Sequence, residues 1–339
     1  MIRRFGILSA LYAALFLSAT VIGCGDEEES DVDNVDDPDD TDEKPNDQRR
    51  DDAVKISINI EGSLQNPAFS PDGDVIVMTR FQDGYNMEPA DLFLVEIGDG
   101  STQELISDGS ANVNLPGSSW NPVTEQIVFS SSRDPHDEIY VIDDGGTNGD
   151  EVMVTSRDDF MAYEPSFSPD GTWVVFESHV VDTEDNGIIM RYLVDGTGDY
   201  EPLTDENADC RQPNWAPAGG HILCQCLTNG QWDLWIMNED GSNLQQVTQG
   251  EGDKTDASFS PNGQWIVYSS DNANLEFANL FVISIDGGDP IQVTDWDGYD
   301  GAPSWSSTNQ IAFESYHGDP DDSPGTTLWI IDVPAAIAN

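Results

Sequence analysis

The sequence predicts an all-β protein, a six-bladed β-propeller with four antiparallel strands in each blade. Three observations predict this fold: a short phrase that recurs six times, the strand-like segments after each copy, and one extra segment before the first copy. A period of 44–51 residues is typical of one supersecondary unit repeated in a propeller or solenoid. The phrase is recognised by its aromatic residue, which in the six copies is Phe69, Trp120, Phe167, Trp215, Phe259 and Trp305.

In its full form the phrase ends in a turn signal, as in Ser70-Pro71-Asp72-Gly73. Proline presets φ for the first central position of a type I turn, Asp or Asn suits the second, and Gly accepts the left-handed position that closes a hairpin. Each copy therefore predicts a tight hairpin between a first and a second strand.

Three further strands are predicted in each repeat. A run of β-branched and aromatic residues follows the turn, and a polar loop then leads to a similar run. The last strand ends in a Leu/Val-Thr signature such as Val154-Thr155 or Val247-Thr248. Four strands without helical periodicity predict a propeller blade.

The sixth repeat stops after its third strand, near Asp332, and an alternating apolar segment at 54–60 precedes the first repeat. We expect this N-terminal segment to complete the last blade, because ring closure removes an exposed strand edge. The propeller is thus predicted to span residues 53–339.

The phrase, the blade ending and the six-fold count resemble the TolB-like propeller family, whose repeats are WD40-like "PD40" units. The resemblance implies a protein of the bacterial cell envelope and a partner such as a peptidoglycan-associated lipoprotein. It also implies that the separate N-terminal domain of that family is lacking here, because the repeats account for the chain from residue 53.

Residues 1–24 resemble a bacterial lipoprotein signal. Arg3 and Arg4 precede an apolar stretch too short for a comfortable membrane span, and Val21-Ile22-Gly23-Cys24 resembles a lipobox. We expect acylation of Cys24 and attachment to the membrane through lipid alone. An ordinary signal peptide or an uncleaved anchor is the alternative.

Residues 25–52 contain 15 acidic and 3 basic residues and almost nothing apolar. Such a segment cannot bury enough surface to offset its ordering entropy, so a disordered acidic tether is predicted.

The predicted propeller itself carries 50 acidic and 7 basic residues. This balance excludes nucleic acid as a partner, because the phosphate backbone would be repelled, and it disfavours anionic lipid headgroups. Solubility in a saline exterior and binding of cations or a cationic partner are both consistent with it. A monomer is expected.

Three cysteines fall in the fourth repeat. A turn over 216–220 would place Cys210 opposite Cys226 in an antiparallel pair, which predicts a disulfide in an oxidising compartment and leaves Cys224 as a buried thiol. A zinc site formed by the three cysteines and His221 is the alternative, although Cys224 and His221 would point to opposite faces of the strand.

The residue before each predicted first strand should face the axis at the channel mouth. These residues are Asn66, Gly117, Glu164, Gln212, Asp256 and Ala302. They predict a polar, water-filled or cation-holding channel. The longer loops, between second and third strands and between blades, share one wide face, and binding sites usually lie on such loops.

Two metal hypotheses concern these loops. His136, His179 and His317 occupy corresponding loops and could collect a metal, as in propeller lyases. Because the third and sixth blades lie on opposite sides of a ring, we expect solvated loop histidines instead. Asp182, Glu184 and Asn186 resemble the first half of a calcium loop, with Leu193 where the bidentate Glu is expected. Calcium is thus a weak cofactor candidate.

The sequence contains neither a nucleophile elbow nor an H-E-x-x-H motif. We therefore expect a non-enzymatic, lipid-anchored propeller that presents its wide acidic face to a protein or glycan. A metal-dependent lyase or other hydrolytic propeller enzyme and a calcium-binding structural lipoprotein are the alternatives.

Overall fold

The computed structural model describes residues 49–338, apart from 88, 108–112, 115–118, 135, 182, 184–185, 272–276 and 317–324. The chain divides into two units, and the first, Met1–Asp47, lies outside the described residues. The predicted signal, lipobox and most of the tether fall there. Among the described residues, no helix is long and apolar enough to cross a membrane.

Six four-stranded antiparallel sheets confirm the predicted propeller. Blade one contains β2 (Ser63–Phe69), β3 (Val75–Phe81), β4 (Ala90–Glu96) and β5 (Thr102–Ile106). Blade two contains β6 (Val113–Asn114), β7 (Ile127–Ser131), β8 (Glu138–Ile142) and β9 (Val152–Met153). Blade three contains β10 (Phe160–Phe167), β11 (Trp173–Val180), β12 (Ile188–Leu193) and β13 (Glu201–Pro202). Blades four and five contain β14 (Cys210–Trp215), β15 (His221–Thr228), β16 (Gln231–Asn238) and β17 (Gln245–Gln246); and β18 (Lys254–Phe259), β19 (Trp265–Ser270), β20 (Asn279–Ser284) and β21 (Ile291–Gln292).

Blade six is closed by the N-terminal strand, as predicted. It contains β22 (Tyr299–Trp305), β23 (Gln310–Tyr316), β24 (Thr327–Asp332) and β1 (Val54–Lys55), with Val54 opposite Ile330. The closing strand is shorter than the segment 54–60 predicted for it, because the chain must then cross from the outer edge of blade six to the axial strand of blade one. Ile58 and Ile60 still pack against the core between these two blades.

The packed chain begins earlier than the sequence predicted. Arg49, placed in the tether by the predicted boundary at residue 52, has only 5% of its side chain exposed and contacts blade six. Its guanidinium pairs with Asp51 and Asp300 and lies about 5 Å from the ring centres of Trp296, Phe313 and Trp329. Burial of this one cation orders residues that composition alone assigned to the tether.

The core is divided among the junctions between neighbouring blades. Six apolar clusters are present, and each combines residues from two adjacent blades, including the junction between blades six and one. The aromatic residues of the phrase pack in these clusters. The repeated phrase therefore has a structural role, because its aromatic residues hold neighbouring blades together.

Hydrogen bonds explain why the turn of the phrase has the same geometry in several blades. Ser70 Oγ donates to Asp72 Oδ1 over 2.6 Å and accepts the N–H of Val75 over 3.0 Å. The same pair of hydrogen bonds recurs in blades three and five, where Ser168 and Ser260 stabilise the turn. These short turns form the narrow face of the ring, and the wide face lies at the other end of the strands.

Candidate binding site at the propeller axis

The axial strands share one irregularity at the same position. Five first strands carry a register shift, a β-bulge, in the middle of the strand. A non-glycine residue with φ between 45° and 51° occupies each bulge: Asn66, Glu164, Gln212, Asp256 and Ala302. These are the residues predicted to face the channel, and Gly117, the sixth, lies outside the described residues. They lie within their strands, at mid-depth, and not before them at the mouth as the sequence suggested.

Left-handed backbone is costly for residues with a Cβ, by about 1–2 kcal/mol each. Five such residues at equivalent positions indicate that the surrounding blades hold the bulges in place. The bulge turns the side chain of each residue toward the axis. In a regular strand, the alternation of side chains would direct it at a neighbouring blade instead.

A small cavity of about 30 Å³ lies among these bulges. Its lining residues are Asn66, Glu164, Gln212, Pro213, Asn214, Asp256, Ala257 and Ala302. The structure thus brings together five residues that the sequence proposed for the channel: Asn66, Glu164, Gln212, Asp256 and Ala302. A cavity of this size holds about one or two water molecules or a small cation.

Asp256 and Gln212 hold each other across two neighbouring blades. Gln212 Nε2 donates to Asp256 Oδ1 over 2.9 Å, and the Asp256 N–H donates to Gln212 Oε1 over 3.1 Å. Burial raises the pKa of Asp256, while hydrogen bonds from Gln212 and Thr255 oppose that shift. The carboxyl group is therefore oriented toward the axis in a poorly solvated environment.

A buried carboxyl group that the sequence analysis missed lies beside this ring. Glu314, on β23 of blade six, is 2% exposed and accepts the N–H of Asn66 in blade one over 3.0 Å. Burial raises the pKa of Glu314 to about 8, the hydrogen bond from Asn66 lowers it, and the charge of Asp256 adds to the increase. At neutral pH this carboxyl group therefore retains a proton.

Two tyrosines cover Glu314. The Tyr85 hydroxyl donates to Glu314 Oε1 over 3.5 Å, and the rings of Tyr85 and Tyr299 meet edge to face with centres 6.1 Å apart. Burial raises the pKa of both phenols well above their ordinary value. A Cβ on Gly301 would lie only 2.0 Å from the Tyr299 hydroxyl oxygen, so Gly301 makes room for this phenol.

The same arrangement occurs in blade three with a different partner. Glu177 Oε2 accepts the N–H of Gln212 in blade four over 3.0 Å, and Glu177 Oε1 lies 2.5 Å from His179 Nε2. One sequence signal could have found both glutamates. Each is an acidic residue directly after the apolar run of its second strand, where blades one and five carry Thr79 and Ser269.

The expectation of solvated loop histidines is wrong for His179, which lies on β11, is 4% exposed and is bound to Glu177. His136 is half-buried, and His317 lies outside the described residues. The calcium hypothesis stays a prediction, because Asp182 and Glu184 also lie outside them. Asn186 is exposed, and its amide nitrogen donates to the carbonyl oxygen of Glu206 over 3.5 Å.

The cysteines of blade four form a disulfide between Cys210 and Cys226, which are paired across β14 and β15. Cys224 is a buried thiol whose sulfur lies 3.7 Å from that of Cys226. Burial raises the pKa of Cys224 to about 12, so its thiolate is scarce at neutral pH. These sulfurs lie within 4.8 Å of one another, but two of them are bonded and unable to serve as thiolate ligands.

Every arginine among the described residues is paired with a carboxylate. The pairs are Arg49 with Asp51 and Asp300, Arg50 with Asp295 and Asp297, Arg80 with Asp91, Arg133 with Glu151, Arg157 with Asp159, Arg191 with Glu201, and Arg211 with Asp209. Most of them also stack on an aromatic ring. The arginines thus support the blades, and this use weighs against recognition of an acidic polysaccharide.

Comparison with known proteins agrees with this architecture. The family described as the TolB beta propeller domain matches residues 165–319. The Tol-Pal system protein TolB of Francisella tularensis is 25% identical over 186 residues, which cover 55% of this chain and 40% of that protein.

Solved structures with the same fold include a putative TolB and a lyase. A putative TolB from Agrobacterium tumefaciens superposes with a TM-score of 0.59 at 18% identity and covers 81% of this chain and 91% of its own. Oligogalacturonate lyase from Vibrio parahaemolyticus gives a TM-score of 0.50 at 13% identity and covers 85% and 93%. At such identities these likenesses show the fold alone.

Proposed function

We propose that this chain, a TolB-like six-bladed β-propeller, is a non-enzymatic binding protein of the bacterial cell envelope that presents its wide face and axis to a partner. The observation that carries the proposal is the ring of five left-handed, non-glycine residues around the axial cavity. Backbone strain of this kind persists where the surrounding structure enforces it, and it clusters at functional sites.

Charge indicates the kind of partner. The region from residue 53 onward carries 50 acidic and 7 basic residues, and the described arginines are paired within the blades. An unbalanced acidic surface attracts a partner with a complementary basic surface and accelerates its association. A protein partner with such a surface is our first expectation, and a glycan is the alternative.

The similarity to a Tol-Pal system protein suggests where to look for the partner. A peptidoglycan-associated lipoprotein of the same envelope is the first candidate, by analogy of fold. We further propose that acylation of Cys24 anchors the chain and that residues 25–48 act as an acidic spacer between lipid and propeller.

The proposal is tested by measuring binding of the purified full chain to such a lipoprotein by biolayer interferometry. Met87 lies on a wide-face loop with 54% of its surface exposed. Met87→Arg places a positive charge opposite the basic surface that is expected of the partner, and it should weaken binding by about tenfold or more.

Val123→Arg is the matched control, because Val123 is 63% exposed but lies on a narrow-face turn. It adds the same charge and should leave affinity unchanged. Equal losses in both variants, or binding lost only in Val123→Arg, would place the partner elsewhere.

A further inference from the structure

A small apolar patch on the wide face of blade four has the composition of a docking surface. We propose that Leu227 and Trp232 form the contact point for a protein segment that carries an aliphatic side chain flanked by lysines or arginines. This rests on the proposed binding function and specifies the position and the chemistry of the contact.

The connection between the second and third strands is short in blade four. Residues 229–230 alone join β15 to β16, whereas residues 82–89 join β3 to β4 in blade one. Asn229 and Gly230 have φ values of 56° and 80°, which is the geometry of a two-residue type I′ hairpin turn. Because so short a turn does not cover the ends of its own strands, the side chains beside it are open to a partner.

Two apolar side chains lie side by side at this open end. Leu227 is paired with Trp232 across β15 and β16, so both point to the same face of the blade. Leu227 is 40% exposed, and Trp232 is half-buried. Leu234, two residues after Trp232 on the same face, packs in the core between blades four and five. The pair therefore continues this core to the surface of the wide face.

Hydrogen bonds tie the patch to the chain segments on both sides of it. The N–H of Leu227 donates to the carbonyl oxygen of Asp209 over 2.8 Å, in the segment that enters blade four. The N–H of Trp232 donates to Asp253 Oδ1 over 2.9 Å, in the segment that leaves blade four. Each apolar residue is thus fixed through its backbone.

A covalent bond and a stacking contact hold the patch from below. The disulfide joins Cys210 of β14 to Cys226, the residue directly before Leu227. The guanidinium of Arg211, the residue after Cys210, lies 5.3 Å from the ring centre of Trp232. A surface that is already ordered loses little conformational freedom when a partner binds, which favours affinity.

The charge around the patch indicates the chemistry of the partner. Arg211 pairs with Asp209 over 2.9 Å, and Lys254 pairs with Asp233 over 3.2 Å, so these two cations are already neutralised. An apolar centre within an acidic rim is complementary to an aliphatic side chain flanked by cations. The rim consists of four acidic residues in the two segments that contact the patch: Asp205, Glu206, Glu251 and Asp253.

Fluorescence anisotropy of a fluorescein-labelled peptide, Lys-Lys-Leu-Lys-Lys, titrated with the full chain at fixed ionic strength tests the proposal. We expect saturable binding, and Leu227→Arg should raise the dissociation constant by about tenfold because it places a cation in the contact. Leu244→Arg is the matched control, since Leu244 is 36% exposed and follows the narrow-face turn between β16 and β17 of the same blade. It should leave the dissociation constant unchanged.

A second variant and a second peptide separate apolar contact from attraction by charge. Trp232→Ala changes no charge and should also weaken binding by about tenfold, as loss of an aromatic anchor does. The peptide Lys-Lys-Ser-Lys-Lys keeps the charge but lacks the aliphatic side chain, so it should bind the wild type about tenfold more weakly. Equal affinity for both peptides, or equal losses in Leu227→Arg and Leu244→Arg, would show attraction by net charge alone and overturn the proposal.

The lipoprotein measurement separates this patch from the proposed function. Blade four lies opposite blade one in the ring, so Leu227→Arg and Met87→Arg probe opposite sides of the wide face. Lipoprotein binding that Met87→Arg weakens and Leu227→Arg leaves intact would overturn the patch and keep the wide-face partner. Peptide binding that depends on Leu227, without lipoprotein binding, would keep the patch and remove that lipoprotein as the partner. Soluble peptidoglycan fragments that bind with sensitivity to Leu227→Arg, while the peptide does not bind, would overturn a protein ligand.

Discussion

Glu314 is a carboxyl group whose protonation the fold changes. Its carboxyl group is surrounded by Tyr85, Tyr299 and the N–H of Asn66. Burial raises its pKa to about 8, and the negative charge of Asp256 contributes to this increase. The proton that Glu314 holds is therefore part of the folded structure at neutral pH.

The pH dependence of stability tests this protonation. Because the pKa of Glu314 is higher in the folded protein than its ordinary value of 4.5, its contribution is fully present below about pH 4.5. That contribution is lost as the pH rises through about 8. We expect the free energy of unfolding to fall over this window by at most about 1.4 kcal/mol per pH unit through this group.

Urea denaturation at several pH values measures this slope. Glu314→Gln keeps the size and an acceptor oxygen but does not titrate, so its slope should be smaller than that of the wild type. Glu251→Gln, at an exposed position, should retain the wild-type slope. Identical slopes in all three proteins would show that Glu314 is ionised in the folded state.

Ala302 tests the strain at the bulges. Its φ of 45° costs an alanine about 1–2 kcal/mol, and glycine relieves this cost but loses about 0.5–1 kcal/mol of entropy. Ala302→Gly should therefore raise the free energy of unfolding by roughly 0.5–1 kcal/mol. Ala257→Gly, at a neighbouring position without positive φ, should lower it, and a loss of stability in both would argue against strain at the bulge.

At the scale of the element, the Leu/Val-Thr signature has a structural role that its sequence did not reveal. Thr248 Oγ1 accepts the N–H of Leu234 over 2.8 Å and donates to Asp233 Oδ1 over 3.0 Å. Thr155, Thr204 and Thr294 accept the corresponding N–H in blades two, three and five. The signature follows each short outer strand and ties it to the third strand.

Thr248→Val removes both hydrogen bonds and keeps the shape of the side chain. Because the N–H of Leu234 would then be buried without a partner, we expect a loss of about 1–3 kcal/mol in the free energy of unfolding. Thr197→Val is the control, since Thr197 bonds Asp195 on an exposed turn. Denaturant titration should show a much smaller change there, and equal changes would refute the role of the signature.

The strands and turns could be predicted because each repeat carries its own local signals, the phrase, the apolar runs and the blade ending. The bulges could not, since a residue such as Asp256 looks like an ordinary strand-flanking polar residue until the ring places it at the axis. Glu314 and Tyr85 meet only because blade six closes against blade one. The site therefore depends on contacts between residues more than 200 positions apart, which no local pattern contains.

At the scale of the whole molecule, the N-terminal segment at residues 49–55 closes the ring. Its strand pairing is limited to Val54 and Lys55, whereas Arg49 is buried against Asp300 and three aromatic rings. The missing fourth strand of the last repeat and the alternating segment at 54–60 predicted that the ring would close. They did not predict the contact at Arg49, because an arginine at the edge of an acidic segment resembles part of that segment.

Arg49→Ala should therefore destabilise the whole propeller. It leaves Asp300 buried without its cation, which costs about 3–5 kcal/mol. Arg50→Ala is a matched control, since Arg50 pairs with Asp295 and Asp297 at the surface with 46% of its side chain exposed. The free energy of unfolding of Arg50→Ala should fall by no more than about 1 kcal/mol. Similar denaturation midpoints for both variants would show that Arg49 does not secure the ring.

The most direct test of the binding function is a hydrogen-exchange footprint of the full chain with and without the purified peptidoglycan-associated lipoprotein. We expect protection in the wide-face loops, including residues 82–87, and in the axial strands around Asn66 and Asp256. Protection confined to the narrow-face turns or to the outer strands, or none at saturating partner, would contradict a propeller that binds through its wide face and axis.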